Sequence, residues 1–232
     1  MTSELITLGI SHKTAPVQLR ERLALTQAVV SGFLQEIAAL PEVHEAVVIS
    51  TCNRTELTLV VGDAVTAESG ALAVLAQRAH VRPTELAERI YSPRNCDAAR
   101  QLFRVCAGLE SMIVGEAEIQ GQVKRAYEEA LAAGTTGPLT NRLFTAALQA
   151  GKRVRSETGI GLGRASLSSV AVDLAQHVLR DRNDPHVVLI YVAIMASRLA
   201  RIDRELSELT ELVEGRDRAT SDSVQDDRER VA

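Results

Sequence analysis

The stretch Val43-His44-Glu45-Ala46-Val47-Val48-Ile49-Ser50-Thr51-Cys52-Asn53-Arg54-Thr55-Glu56-Leu57-Thr58-Leu59-Val60-Val61 decides how the first part of the chain folds. Residues 43–50 are an apolar, β-branched run that predicts a buried strand. Residues 56–61 resume an extended pattern, closed by Gly62-Asp63, and predict its hairpin partner or a neighbouring strand. Between them a hydroxyl, a thiol, an amide, a guanidinium and a carboxylate crowd into one break. A lone cysteine after a strand is most often a small buried hydrophobe. Among so many polar groups, Cys52 is better suited to attack a substrate carbonyl.

Working outward, residues 5–10 read as a strand, and Ser11-His12-Lys13-Thr14-Ala15-Pro16 as a polar turn. A helix is expected over 17–25. Thr26 is placed to cap a second helix running to Leu40 and stopped by Pro41. Downstream, 65–79 and 83–89 have helical periodicity, and Ile90-Tyr91 reads as a short strand. After Ser92 the pattern is helical. Asn95 is expected to cap a helix over 96–107, followed by the break Gly108-Leu109-Glu110-Ser111 and helices over 116–133 and 139–157. Gly159-Ile160-Gly161-Leu162-Gly163 reads as a flexible loop, followed by a helix capped by Ser166 or Ser168. The fold class expected is α+β: a small mixed or antiparallel sheet with packed helices, then a long helical segment.

Composition narrows the chemistry. The chain is 46% hydrophobic and 24% charged, as soluble globular proteins are. Aromatics make up 3%, with no Trp, so no base-stacking platform is expected. The net charge of −4 excludes a generic polyanion binder and requires any nucleic acid to be held by a local patch. Lys152, Arg153 and Arg155, with Lys124 and Arg164, are the candidates for such phosphate contacts. Cys52, Cys96 and Cys106 form neither a disulfide framework nor a CxxC metal pattern, and Cys96 and Cys106 read as core thiols. No metal site is expected from the scattered histidines. The start of the chain lacks a signal-peptide pattern and no apolar run reaches spanning length, so a reducing, cytoplasmic setting is expected.

Several motifs stand in order along the chain: Gly9-Ile10-Ser11-His12-Lys13-Thr14-Ala15-Pro16, Ser50-Thr51-Cys52-Asn53-Arg54-Thr55-Glu56, Leu102-Phe103-Arg104-Val105, Gly108-Leu109-Glu110-Ser111-Met112, Gly115-Glu116 through Gly121-Gln122-Val123-Lys124, and Gly151-Lys152-Arg153-Val154-Arg155-Ser156-Glu157-Thr158-Gly159-Ile160. Over residues 8–175 they make the chain resemble the glutamyl-tRNA reductase family. The resemblance implies attack of a cysteine on the ester of glutamyl-tRNA and departure of the tRNA from a thioester. Reduction by NADPH to glutamate-1-semialdehyde follows, on the route to tetrapyrroles. By the same resemblance Cys52 is the nucleophile, and Thr51, Asn53, Arg54, Ser111, Glu116, Ala117, Glu118 and Gln122 take the substrate-contact positions. Arg54 would pair with a substrate carboxylate and a Glu would hold the ammonium. The partners implied are glutamyl-tRNA, glutamate-1-semialdehyde aminomutase and a second copy of the chain.

The chain departs from the family in two places. Where the family carries a catalytic histidine, this chain has Gln101, which can donate a hydrogen bond but cannot exchange a proton near neutral pH. Where the family has a Gly-rich dinucleotide turn, the positions are Tyr191, Val192, Ala193, Ile194, Met195 and Ala196. Both glycines are lost, and with them the tight bend and the close approach to a pyrophosphate. The domains expected are a catalytic unit over 1–157, a linking helix over 158–183, a vestigial βα unit of a Rossmann-like, NADP-binding domain over 184–214, and a disordered tail over 215–232. The family's dimerisation helix is missing or reduced to residues 201–213. The expected activity is the thioester or deacylation half of the reaction. Its alternatives are a non-catalytic glutamyl-tRNA-binding or regulatory module, and reduction completed by NADPH supplied in trans.

Overall fold

The structure, a computed structural model, describes residues 3–161, which belong to a compact unit spanning Met1–Ser166. Everything expected from residue 162 onward, including the vestigial dinucleotide unit and the tail, lies outside the described residues. The elements run β1 (Glu4–Ser11), α1 (Val17–Leu23), α2 (Gln27–Ala38), β2 (Val43–Ser50), β3 (Arg54–Val61), α3 (Ala64–Ala79), α4 (Pro83–Ala87), α5 (Asn95–Cys106), α6 (Glu118–Ala132) and α7 (Pro138–Glu157), then a 3-10 turn, Gly159–Gly161. The three strands form an antiparallel sheet in the order β1-β3-β2. The hairpin expected from residues 43–61 is its centre and one edge.

Strand alternation divides the sheet into two unlike faces. Ile6, Leu8 and Ile10 pair opposite Leu59, Leu57 and Thr55, and Ala46 and Val48 oppose Leu59 and Leu57. This face is apolar and is covered by α1, α2 and α3. The other face carries Thr7, Gly9, Arg54, Glu56 and Thr58, and α5, α6 and α7 pack over it. All eight residues of β3 are buried, so the polar side chains of this second face sit inside the protein. Both sheet edges are partly closed. Tyr91 and Gly9 exchange hydrogen bonds of 2.9 and 3.0 Å along β1. Along β2, Ala46 N donates to Thr135 O at 2.8 Å and Thr135 Oγ1 donates to Ala46 O at 2.8 Å. Among the described residues, both edge strands of this sheet are thus partly covered.

A bulge at the start of β2 re-aims one side chain. Val43 pairs with Val61 but Glu45 pairs with Val60, so the extra residue turns Glu45 toward the helices of the second face. Its buried carboxylate accepts from Thr140 N at 2.7 Å, Thr140 Oγ1 at 2.7 Å and Leu139 N at 3.3 Å, capping the N-terminus of α7. A carboxylate here satisfies unpaired helix donors and complements the helix dipole. Glu45→Ala is expected to lose about 2–3 kcal/mol of stability, and Glu45→Gln about half of that. Urea unfolding measures both, and a loss below about 0.5 kcal/mol for the alanine variant contradicts this role.

Several local expectations change. Asn95 does not cap α5. It is the first helical residue, at φ 48°, and its Oδ1 accepts from Leu5 N at 3.2 Å, tying α5 to β1. Arg94 stands at the cap position without a side-chain bond. Thr26 likewise makes no side-chain cap bond. Ile90-Tyr91 forms only an isolated bridge. The helix expected from residue 116 begins at Glu118, because Gly115 and Glu116 are held in the preceding loop. Cys106 is buried as expected, but Cys96, on the first turn of α5, is exposed. Among the described residues no helix is long and apolar enough to cross a membrane.

Candidate active site

The turn between β2 and β3 is self-bonded. Thr51 N donates to Arg54 O at 2.8 Å, and Thr51 Oγ1 accepts from Asn53 N at 3.1 Å and Arg54 N at 3.2 Å. A threonine hydroxyl that collects the next backbone N–H groups stabilises a turn of this kind. His12 N, in the polar turn after β1, donates to Asn53 O at 2.9 Å. With its main chain fixed on several sides, the turn presents Cys52 at the surface with its side chain exposed.

Beside Cys52 lies a small, shallow cleft, open to solvent and lined by Thr51, Cys52, Asn53, Arg54, Ser111, Glu116, Ile119 and Gln122. Six of the substrate-contact positions drawn from the resemblance therefore come together around the thiol, from segments far apart in sequence. Ala117 and Glu118 do not join them and are exposed on the rim of α6. Ile119 was missed, although it lies one helical turn before Gln122 and so shares its face. Ser111 Oγ is buried without an aligned hydrogen-bond partner, which leaves a polar group ready for a polar ligand.

The loop that carries Ser111 and Glu116 is closed by glycine. Gly115 sits at φ 84°, and a Cβ there would stand 2.1 Å from Ile160 O. Arg155 holds the same point, with Nη2 donating to Glu116 O at 2.7 Å and Gly115 O at 3.2 Å. Arg155 therefore serves the loop rather than a phosphate. Arg153 is paired with Glu157 at 3.1 Å and Lys124 with Glu128 at 3.5 Å, and Lys152 is exposed. Arg164 lies outside the described residues.

Arg54 departs most from expectation. It is 1% exposed, Nη1 donates to Glu56 Oε1 at 2.7 Å, and Nη2 donates to the carbonyl of Glu110. A side chain two positions on in a strand lies on the same face, which is why Arg54 and Glu56 meet. With both terminal nitrogens engaged, Arg54 offers a substrate its charge at the cleft wall rather than an open guanidinium fork. Gln101 is also not in the cleft. Its Nε2 donates to Glu56 Oε1 at 3.1 Å, and the Tyr91 hydroxyl donates to the same oxygen. Gln101 therefore reaches the site only through Glu56 and Arg54. Gly9, opposite Glu56 in the sheet, makes room for this cluster, since a Cβ would come within 2.7 Å of Glu56 Cγ.

Although the side chain reaches solvent, its sulfur is partly desolvated by the cleft wall, which pushes the Cys52 thiol pKa up, and the Glu116 carboxylate pushes it further. A backbone N–H at Cys52 and the Arg20 guanidinium oppose that rise without cancelling it, so the resting residue is a thiol at neutral pH. Glu116 is itself raised by burial and by Glu118, against the pull of Arg54 and the nearby Ser111 hydroxyl. The His12 pKa is lowered by burial and by Arg54, Lys13 and Arg20, and its Nδ1 is buried without a partner. For Cys106, burial raises the thiol to about 12, which keeps it inert. Among the described residues no group of three or more His, Cys, Asp or Glu side chains could hold a metal ion.

A family model described as the N-terminal domain of glutamyl-tRNA(Glu) reductase matches residues 8–158. The glutamyl-tRNA reductase of Rubrobacter xylanophilus is 42% identical over 213 residues, covering 91% of this chain and 49% of the relative. That of Chromohalobacter salexigens is 43% identical over 204 residues, covering 87% and 47%. The solved glutamyl-tRNA reductase of Methanopyrus kandleri superposes with a TM-score of 0.56 at 33% identity, over 75% of this chain and 39% of that one. The chain thus spans about half the length of the curated relatives it matches.

Proposed function

On the premise that this chain belongs to the glutamyl-tRNA reductase family, we propose that Cys52 takes the glutamyl group from glutamyl-tRNA as a thioester. Cys52 Sγ forms a bond to the ester carbonyl carbon. The ester C–O bond breaks, and the thiol proton leaves with the ribose hydroxyl of the released tRNA. The observation that carries this reading is the convergence of Thr51, Asn53, Arg54, Ser111, Glu116 and Gln122 around an exposed cysteine in one cleft. A thiolate is both a strong nucleophile and a competent leaving group, so a cysteine suits a site that must make and release an acyl group. The domain reading, with residues 1–157 as the catalytic unit, belongs to the same proposal. So do the reducing cytosol that keeps Cys52 free and, downstream, an aminomutase that consumes the aldehyde.

Glu116 has a second task here. Its carboxylate is placed to receive the substrate ammonium at the cleft, and neutralising that charge removes one of the influences that hold the Cys52 thiol protonated. Substrate binding then activates its own nucleophile. Glu116→Gln is expected to speed alkylation of free Cys52 near neutral pH by about 3–10-fold, because loss of the negative charge lowers the thiol pKa. The same variant is expected to slow acyl transfer from glutamyl-tRNA, because the ammonium loses its counter-ion. Two rates that move in the same direction contradict the assignment.

NADPH would supply the hydride that turns the thioester into an aldehyde. The positions aligned with the dinucleotide turn, Tyr191, Val192, Ala193, Ile194, Met195 and Ala196, lie outside the described residues. The described strands are all antiparallel and provide no strand–turn–helix cradle for a pyrophosphate. The described residues do not fit the cofactor. Water would then release glutamate from the thioester, and the net reaction would be deacylation. A second reading, a module that binds glutamyl-tRNA without turnover, is favoured by the raised Cys52 pKa and by the engagement of Gln101 with Glu56. It predicts binding unchanged by Cys52→Ala and no covalent adduct on the native chain.

A further inference from the structure

Arg20 lies in α1, remote in sequence from the cysteine turn, yet it is 8% exposed and reaches that turn from beneath. Its Nη1 donates to Cys52 O at 2.7 Å and to Asn53 Oδ1 at 3.3 Å. The same end of α1 is stitched to the strands on both sides of the turn. Leu25 N donates to Ser50 Oγ at 2.9 Å, and Thr55 Oγ1 donates to Leu23 O at 3.2 Å. Among the described residues Arg20 makes no ion pair, and its Nε is buried without a partner. A guanidinium buried without a carboxylate is costly, and a well-packed apolar side chain would serve stability better.

We infer that Arg20 is a positioning residue for the nucleophile, bracing the 51–54 turn and holding a fixed positive charge against the main chain of Cys52. The inference rests on the reading of Cys52 as the acyl acceptor and adds a residue to that site. Arg20 acts on the thiol from α1, while Glu116 from the loop and Glu118 from α6 act with the opposite sign; Arg54 lines the same cleft from β3. His12 and Lys13 flank the turn from the end of β1. Removing Arg20 leaves burial and two carboxylates acting on the thiol, with less to oppose them. The charge matters twice in acyl transfer: a larger thiolate fraction attacks faster, and a stabilised thiolate leaves more readily when the thioester breaks down.

Site-resolved alkylation of the full chain with iodoacetamide, followed by mass spectrometry across a pH series, tests this. Exposed Cys96 serves as an internal reference. Arg20→Met is expected to slow Cys52 alkylation about threefold near pH 7 and to move the profile to higher pH, converging with the native rate once the thiol is fully ionised. Arg20→Lys retains the charge and is expected to keep a near-native profile while acyl transfer falls, because the shorter donor set no longer spans Cys52 O and Asn53 Oδ1. Superimposable profiles for Arg20→Met and the native chain overturn the inference. If Arg20→Met does not fold, an Arg20→Lys variant that folds with native acyl transfer overturns it equally. Failure of native Cys52 to acquire a glutamyl group, with the Arg20-dependent shift intact, overturns the substrate reading and leaves the role of Arg20 standing.

Discussion

Cys52→Ala is expected to abolish acyl transfer from glutamyl-tRNA, lowering the rate by about a thousandfold or more, with little change in folding. The side chain is exposed at the surface of a turn whose bonds run through main chain, Thr51 and Arg20, so truncating it removes chemistry and little packing. Cys52→Ser separates nucleophile from shape. An alkoxide forms far less readily than a thiolate at neutral pH, and the Glu116 carboxylate in the cleft is too weak a base to deprotonate a serine hydroxyl. The serine variant is therefore expected to bind glutamyl-tRNA and to leave its ester intact. Single-turnover release of tRNA measures both variants. A native rate with either one removes Cys52 from the reaction.

The second large effect is structural. Arg54→Met leaves the Glu56 carboxylate 1% exposed, with only the neutral donors Tyr91 and Gln101. Breaking a buried ion pair on one side typically costs about 3–5 kcal/mol. For a domain of this size that corresponds to a fall in melting temperature of roughly 10 °C. Arg54→Met combined with Glu56→Leu removes both charges and is expected to recover a large part of the loss, because the unpaired carboxylate is then gone. Calorimetry on the two variants settles the matter. A single variant as stable as the native protein shows that the pair contributes little. Gln101→His bears on the same cluster, since a histidine there meets Glu56 and could return a proton-exchanging group to the layer behind the cleft.

How far the sequence could be read is clearest at these same residues. The runs 43–50 and 56–61 announced two strands, a hairpin or neighbours, because β-branched, apolar residues dominate both, and the polar break between them marked the turn that holds Cys52. The bulge that turns Glu45 toward α7 was not legible, because a single extra residue leaves the apolar pattern of β2 intact. Asn95 looked like a helix cap by residue type, but its side chain bonds to β1 across a distance in sequence that no local pattern records. Arg54 was read from its chemistry as a ligand for substrate. Its burial against Glu56 follows from the period of a strand covered on both faces, which only the packing of α5 to α7 establishes. Arg20 carried no signal in its own helix, since its partners are a carbonyl and an amide in another segment.

The most direct measurement is to mix the full chain with glutamyl-tRNA carrying isotope-labelled glutamate, quench in acid, and map the label by peptide mass spectrometry. The label is expected on the Cys52 peptide, removable by hydroxylamine as a thioester is, and absent from Cys52→Ala. Label on another residue, or none while Cys52 remains free and alkylatable, contradicts the assignment of Cys52 as the acyl acceptor.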